Sequence, residues 1–193
     1  ARLQRLKTGP LKDMAPDADL WLDGGHNAAA GQALASHLAQ QSLRPTYLIC
    51  GILNTKDVAG YLAPMAPYVA ELFAVSIPGE ANALPAETTA TAAKSVGMAA
   101  TAADTVNAAV AKILKSDPAS RILICGSLYL AGQILRERGN FGSNESLDIS
   151  RALDKAGALN TSTQSVQREY IEYLQSAVGK VGVLYPGEVI KIA

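Results

Sequence analysis

Leu20-Trp21-Leu22-Asp23-Gly24-Gly25-His26-Asn27, running on into Ala28-Ala29-Ala30, reads as a short buried strand, a glycine turn and the start of a helix. That order sets an acid, an imidazole and an amide at the carboxyl end of a strand, where open α/β sheets bind their ligands. Glycine lets the backbone turn sharply and approach a ligand closely. The helix that follows offers free N–H groups to an anion.

Working outward, three more segments have the same continuous apolar character: Tyr47 to Cys50, Leu72 to Ser76 and Ile122 to Cys125. Apolar runs without alternation suit a parallel sheet covered on both faces. Helical patterns lie between and after them, at 29–41, 57–65, 85–96, 105–115 and 128–138. Pro85 fits a first helical turn and Gly97 a helix stop. The alternation predicts an α/β fold, a Rossmann-like, mostly parallel sheet with flanking helices. Beyond Gly139 the run Asn140-Phe141-Gly142-Ser143-Asn144-Glu145-Ser146 reads as a linker, so the chain divides into residues 1–139 and a tail, 140–193. The tail carries two amphipathic patterns and two short strand-like runs. It fits an extra layer, a small subdomain or foreign sequence joined to the domain.

The chain has 193 residues, formal net charge +0 and pI near 7.0. It has no basic stripe, which argues against nucleic acid as a partner. It has no run long enough to span a bilayer and no apolar signal core at Ala1-Arg2-Leu3-Gln4-Arg5, so neither a membrane nor secretion is expected. The missing initial methionine suggests a piece of a larger protein. Cys50 and Cys125 sit inside apolar runs and read as buried free thiols of a cytoplasmic protein.

Three loops carry the chemistry. In the first, Asp23 can accept hydrogen bonds from a ribose, assist a metal, or simply cap the next helix. His26 can bind an anion when protonated or a substrate group when neutral, and Asn27 can cap the helix while touching a ligand. His37 reads as a helix-surface residue. The second is Gly51-Ile52-Leu53-Asn54-Thr55-Lys56-Asp57, after the Tyr47–Cys50 strand. Lys56 can meet a phosphate or carboxylate and Asp57 can cap the helix or form a salt bridge, while the plainer reading has Thr55 as the cap and Lys56 solvated. The third is Cys125-Gly126-Ser127-Leu128-Tyr129. Ser127 can donate to an anion held at the helix start, or act as an ordinary N-cap; the surrounding residues are not a Gly-x-Ser-x-Gly nucleophile elbow. The sequence has no Gly-x-x-x-x-Gly-Lys-Ser/Thr phosphate loop, no Gly-x-Gly-x-x-Gly fingerprint and no metal-ligand spacing of His, Cys or carboxylates.

In order and spacing these three loops resemble the signatures of the C-terminal domain of folylpolyglutamate synthase/dihydrofolate synthase, within the Mur ligase superfamily. The opening Ala1-Arg2-Leu3-Gln4 is similar to that family's Pro-Gly-Arg-x-Glu/Gln stretch. The resemblance covers Ala1 to about Gly139. The first motif is shared in looser form by Mur ligases, and the other two narrow it to the folate branch. Ala28 stands where the family usually has proline and Gly25 where it has alanine. The stretch between Arg2 and Asp23 is longer than usual.

The resemblance implies an ATP-dependent ligase whose N-terminal ATPase domain, in cis, carries the phosphate loop and the Mg2+ site. ATP would phosphorylate a carboxylate of dihydropteroate or folate, and the amine of L-glutamate would attack the acyl phosphate. It implies that Arg2 and Asp23 contact ATP, Asp23 at the ribose, with Asn27 and Lys56 also on the cofactor side. His26 and Ser127 would be the catalytic pair, at the glutamate and phosphoryl end, and no metal would be held by this domain. A stand-alone binding module without catalysis, or another Mur-type amino-acid ligase domain, are the rival expectations.

Overall fold

The computed structural model describes residues 3–42 and 44–137. They fall within one compact unit, Ala1–Gly139. The tail assignment, the boundary at Gly139 and Arg2 lie outside the described residues.

Six strands form a single sheet: β1 (Gln4–Arg5), β2 (Asp19–Leu22), β3 (Thr46–Cys50), β4 (Glu71–Ala74), β5 (Ala100–Ala102) and β6 (Arg121–Cys125). Their spatial order is β1-β2-β6-β3-β4-β5, with β1 antiparallel and every other pairing parallel. The helices are α1 (Pro10–Met14), α2 (Ala28–Leu38), α3 (Val58–Leu62), α4 (Ala86–Ser95), α5 (Val106–Ser116) and α6 (Leu128–Glu137). The α/β, mostly parallel sheet expected from the sequence is the one found.

The unbroken apolar strands are explained by two cores, one on each face. Leu20, Leu22, Ile49, Phe73, Ile122 and Ile124 point to one, which α1, α5 and α6 cover with Leu11, Val110, Ile113, Leu130 and Ile134. Leu48, Cys50, Leu72, Leu123 and Cys125 point to the other, under α2, α3 and α4. Because successive side chains alternate, a strand buried on both sides must be apolar at every position.

Several boundaries differ from the sequence reading. β1, β5 and α1 were not expected. β1 has two exposed residues and β5 three short ones, so neither has a hydrophobic pattern to read. Both exist because a neighbour's edge supplies their hydrogen bonds. The helix expected at 57–65 ends at Leu62 and continues as a 3-10 helix, Ala63–Tyr68, where Pro64 and Pro67 cannot donate to an α-helical ladder. Pro85 is the N-cap of α4 rather than part of its first turn. Its ψ of 143° is extended, and the Ala86 N–H is taken by Ser76 Oγ at 3.1 Å, a cap supplied from the β4 side of the loop. At the other end Gly97, at φ 85°, closes α4 as expected, with Met98 N–H on the Ala93 carbonyl (3.1 Å) and Gly97 N–H on that of Lys94 (3.0 Å). These paired bonds satisfy carbonyls that the helix end would leave open.

Candidate active site at the strand ends

The topology decides where the three loops meet. β6, last in sequence, lies between β2 and β3, with Trp21 and Leu48 both in register with Leu123. The loops after β2, β6 and β3 are therefore neighbours at the carboxyl edge. The chain leaves β2 and β3 towards one face and β6 towards the other, which makes this a switch point of the sheet.

Close contacts lock the loops together. Gly51 N–H donates to the Cys125 carbonyl at 3.2 Å, and Asp23 N–H to that of Ile124 at 2.9 Å. A Cβ on Gly126, whose φ is 102°, would stand 2.7 Å from both Cys50 Sγ and the Gly51 carbonyl oxygen. A Cβ on Gly24 would reach 2.3 Å from Leu128 Cδ2, at the start of α6. Each glycine is where one loop passes over the next.

Asp23 is 5% exposed. Its Oδ1 accepts from Gly25 N–H at 2.6 Å, which folds the turn back over the carboxylate. Burial raises its pKa above the ordinary aspartate value, with the Gly25 N–H and the His26 charge working the other way. His26 Nδ1 lies 3.0 Å from the Gly24 carbonyl. A carbonyl only accepts, so Nδ1 carries the proton and a neutral ring presents Nε2 as the acceptor. Burial lowers the His26 pKa; the Gly24 carbonyl opposes this, Lys56 adds to it, and Asp23 opposes it. His26 thus feels the charge of Asp23 in its own loop and of Lys56 in the second.

Asn27 is the N-cap of α2, its Oδ1 accepting from Ala30 N–H at 2.9 Å. With the cap supplied by Asn27, Ala28 begins the helix without the proline usual there. Ser127 is 2% exposed and its Oγ accepts from Tyr129 N–H at 3.0 Å, the geometry of a cap on α6. Among the described residues its hydroxyl hydrogen has no acceptor. In the second loop the plainer reading, Thr55 as the cap, is corrected: Asp57 caps α3, with Oδ1 accepting from Gly60 N–H at 2.9 Å. His37, on α2, packs its ring edge on Trp21 with centroids 5.7 Å apart and takes no part in the site. Cys50 and Cys125 are free and buried beneath the loops, as expected.

Two residues near the site escaped the sequence reading. Tyr61, fully buried on α3, lies within electrostatic reach of Cys125, Cys50 and Asp23. Its sequence signal was only that of an apolar helix position. Glu80 follows the Pro78-Gly79 turn and lies close enough to Tyr129 that, after burial, its charge helps raise that phenol's pKa. The Pro-Gly pair marked a turn without saying where it goes. The Leu53–Ala83 bridge and the 2.8 Å bond from Asn54 N–H to the Asn82 carbonyl fold that turn against the second loop.

Among the described residues no group of three or more His, Cys, Asp or Glu side chains is placed to hold a metal ion. Among them, too, no helix is long and apolar enough to cross a membrane.

Residues 7–137 match the family model described as dihydrofolate synthetase, C-terminal domain. The chain belongs to this family. Within it, the chain is 30% identical over 134 residues to the folylpolyglutamate synthase of Lacticaseibacillus casei, a match covering 69% of this chain and 28% of that protein. The structure of Mycobacterium tuberculosis folylpolyglutamate synthase complexed with ADP superposes with a TM-score of 0.60 at 26% identity, over 72% of this chain and 32% of that one. E. coli FolC in complex with DHPP and ADP shares the fold, with a TM-score of 0.57 at 21% identity, over 70% of this chain and 30% of the other. The chain thus spans under a third of the length of these relatives. The three loops that resemble the dihydrofolate synthetase C-terminal domain in sequence are the same three that the sheet order makes adjacent.

Proposed function

We propose that this chain serves as the closing domain of an ATP-dependent ligase that joins L-glutamate to dihydropteroate or folate through an acyl phosphate. The observation that carries the proposal is the convergence of the three family loops at one switch point, with Asp23 and His26 side by side in the first of them. The mycobacterial relative is complexed with ADP, and this, together with membership of the family, supports a nucleotide as co-substrate.

In this reading Asp23, held by Gly25 N–H, accepts from the ribose hydroxyls of ATP. Asn27, Lys56 and, in the terminal segment, Arg2 complete the nucleotide side. His26 presents Nε2 to the amino acid or takes a proton as the phosphoryl charge develops, a change favoured by a neighbouring anion and resisted by Lys56. Ser127 donates its hydroxyl to the same charge. Mg2+ and the phosphate loop belong to an N-terminal ATPase domain supplied in cis, and no residue of this domain is given a metal to hold.

The test joins this chain to the N-terminal domain of a relative and measures glutamate-dependent ADP release with dihydropteroate and with folate. Turnover with at least one acceptor is expected, and none from the chain alone. His26→Ala and Ser127→Ala should each reduce turnover by about two to three powers of ten, the usual scale for one contact to transition-state charge. A chimera that folds, binds ATP and turns over with neither acceptor would overturn the reading. Turnover only with a cell-wall amino acid would make it a Mur-type ligase instead. Full activity in either variant would leave that residue as a cap or turn residue.

A further inference from the structure

The other end of the sheet holds a charge that the proposed reaction does not use. Arg121 opens β6 and stands in register between Asp19 of β2 and Thr46 of β3. It is 5% exposed. Its Nη1 donates to Thr46 Oγ1 at 3.1 Å and its Nη2 only weakly to Ser42 Oγ, at 3.4 Å. Its Nε has no partner among the described residues, and neither does the buried Ser120 Oγ beside it in sequence. Among the described residues no carboxylate lies within ion-pair distance of Arg121, and Asp19, its strand neighbour, is engaged by Arg5 at 2.5 Å. Arg44 adds a second positive charge close enough to disfavour that of Arg121, on top of the larger effect of burial and against the help of Asp19.

Buried guanidinium groups are ordinarily paired, because an unpaired charge and an unmade hydrogen bond are both expensive out of water. Nε and Nη2 form the side-on edge of the guanidinium, two parallel donors that match two oxygens of one oxyanion. That edge is the under-used one here. The group over it, Ser42, is exposed, as is Arg44. Asp19, the carboxylate whose charge favours that of Arg121, is engaged by Arg5, and Asp117 at the same end is taken by the Tyr47 hydroxyl, so the charge of Arg121 and Arg44 is left only partly balanced, which suits an anion.

We propose that Arg121, with Arg44 and the hydroxyl of Ser42, forms an oxyanion site for a phosphate-class dianion at the amino ends of the strands; Thr46, whose Oγ1 accepts from Arg121 and donates to the Arg44 carbonyl at 3.3 Å, holds the guanidinium in place. The site is independent of the proposed active site, which lies at the far end of β6, about 13 Å away at the rise of a strand.

The test titrates the full chain with inorganic phosphate at constant ionic strength, with chloride as the balancing ion, and follows the arginine Nε–H resonances by NMR. A saturable shift of the Arg121 signal is expected. Arg44→Gln should weaken binding about tenfold, the scale of one charge-assisted contact. Arg121→Lys keeps the charge but loses the fork and should abolish the saturable response, read as the loss of phosphate-induced thermal stabilisation. His26→Ala should leave the titration unchanged, which separates this site from the strand-end loops. A phosphate monoester that competes for the same signal would identify a phosphoryl group on a larger molecule as the ligand. A monoester that does not compete would identify the free anion. Either result supports the site. No shift at tens of millimolar phosphate, or an equal shift with chloride, would overturn it. Because Arg121→Lys can fail to fold, Arg44→Gln is decisive alone: unchanged phosphate affinity in that variant overturns the site.

Discussion

At the scale of single residues, burial works on the two ionisable groups of the first loop in opposite pH directions. The His26 pKa is lowered in the folded chain, first by burial. The unfolded state therefore binds more protons in the window between that lowered value and the ordinary value near 6.5. Stability from this group is fully present above about pH 6.5 and is lost as the pH falls through the window. His26→Gln removes that dependence, so its denaturation midpoint should converge on or pass that of the unmodified chain below about pH 6. Parallel midpoints across this range would mean that His26 does not titrate with folding. Asp23 runs the other way. Its raised pKa means that the folded chain holds its proton longer, so stability falls as the pH rises from about 3.9 through the folded value. Above that window the burial of Asp23 works against the fold. Asp23→Asn keeps an oxygen for the Gly25 N–H and should raise the thermal midpoint of the isolated chain at pH 7. In the chimera the same change should weaken ATP binding about tenfold, for one charge-assisted hydrogen bond. A lowered midpoint with unchanged ATP affinity would make Asp23 a structural turn residue. Both groups could be picked from the sequence as candidates, because they flank two glycines at the end of an apolar run, where open α/β sheets bind ligands. The direction of their pKa shifts could not, because it depends on the packing of β6 and on Lys56, both remote from the first loop along the chain.

At the scale of elements, two glycines that look alike in the sequence do different work. Gly24→Ala would press on Leu128 Cδ2, the free end of a flexible side chain that can turn away. Gly126→Ala would face Cys50 Sγ and the Gly51 carbonyl oxygen, with a φ of 102° that a side chain rarely adopts. The strain of a positive φ and the overpacking together amount to about 3 kcal/mol for Gly126→Ala, against less than about 1.5 kcal/mol for Gly24→Ala. Chemical denaturation of the two variants checks the order, and equal losses would show that the loops can part without cost. Asp57→Ala belongs to the same scale: loss of the α3 cap should cost about 1 kcal/mol, and Thr55→Ala almost nothing. The elements that the sequence made legible are those with a full apolar pattern, β2, β3, β4 and β6, and the helices long enough to show a period. α1 has five residues and β1 two, too few for either period to appear. The start of α4 was misplaced by a residue because its capping hydroxyl, on Ser76, comes from ten residues before Ala86 in the chain. No local pattern announces such a bond.

At the scale of the whole molecule, the strands could be read from the sequence but their order could not. Nothing in Arg121–Cys125 says that it slots between β2 and β3 rather than at an edge. Only that placement turns three separated motifs into one candidate site, and here the family resemblance supplied what periodicity could not. The same order bears on the boundary at Gly139. Among the described residues all six strands lie between Gln4 and Cys125, both faces of the sheet are covered by α1 to α6, and α6 ends at Glu137. Two complete cores are thus lined by residues before the linker-like run at Asn140, where few contacts are expected to cross. A chain ending at Gly139 should therefore stay soluble and unfold in one cooperative step, its stability changed by no more than about 1–2 kcal/mol, the scale of a peripheral alteration. Calorimetry together with near-ultraviolet circular dichroism of Trp21 and the tyrosines gives the answer. Retained tertiary signal and a single transition would establish residues 1–139 as a domain. A truncated chain that aggregates, or keeps helical signal while losing the aromatic signal, would place part of 140–193 in the core and move the boundary.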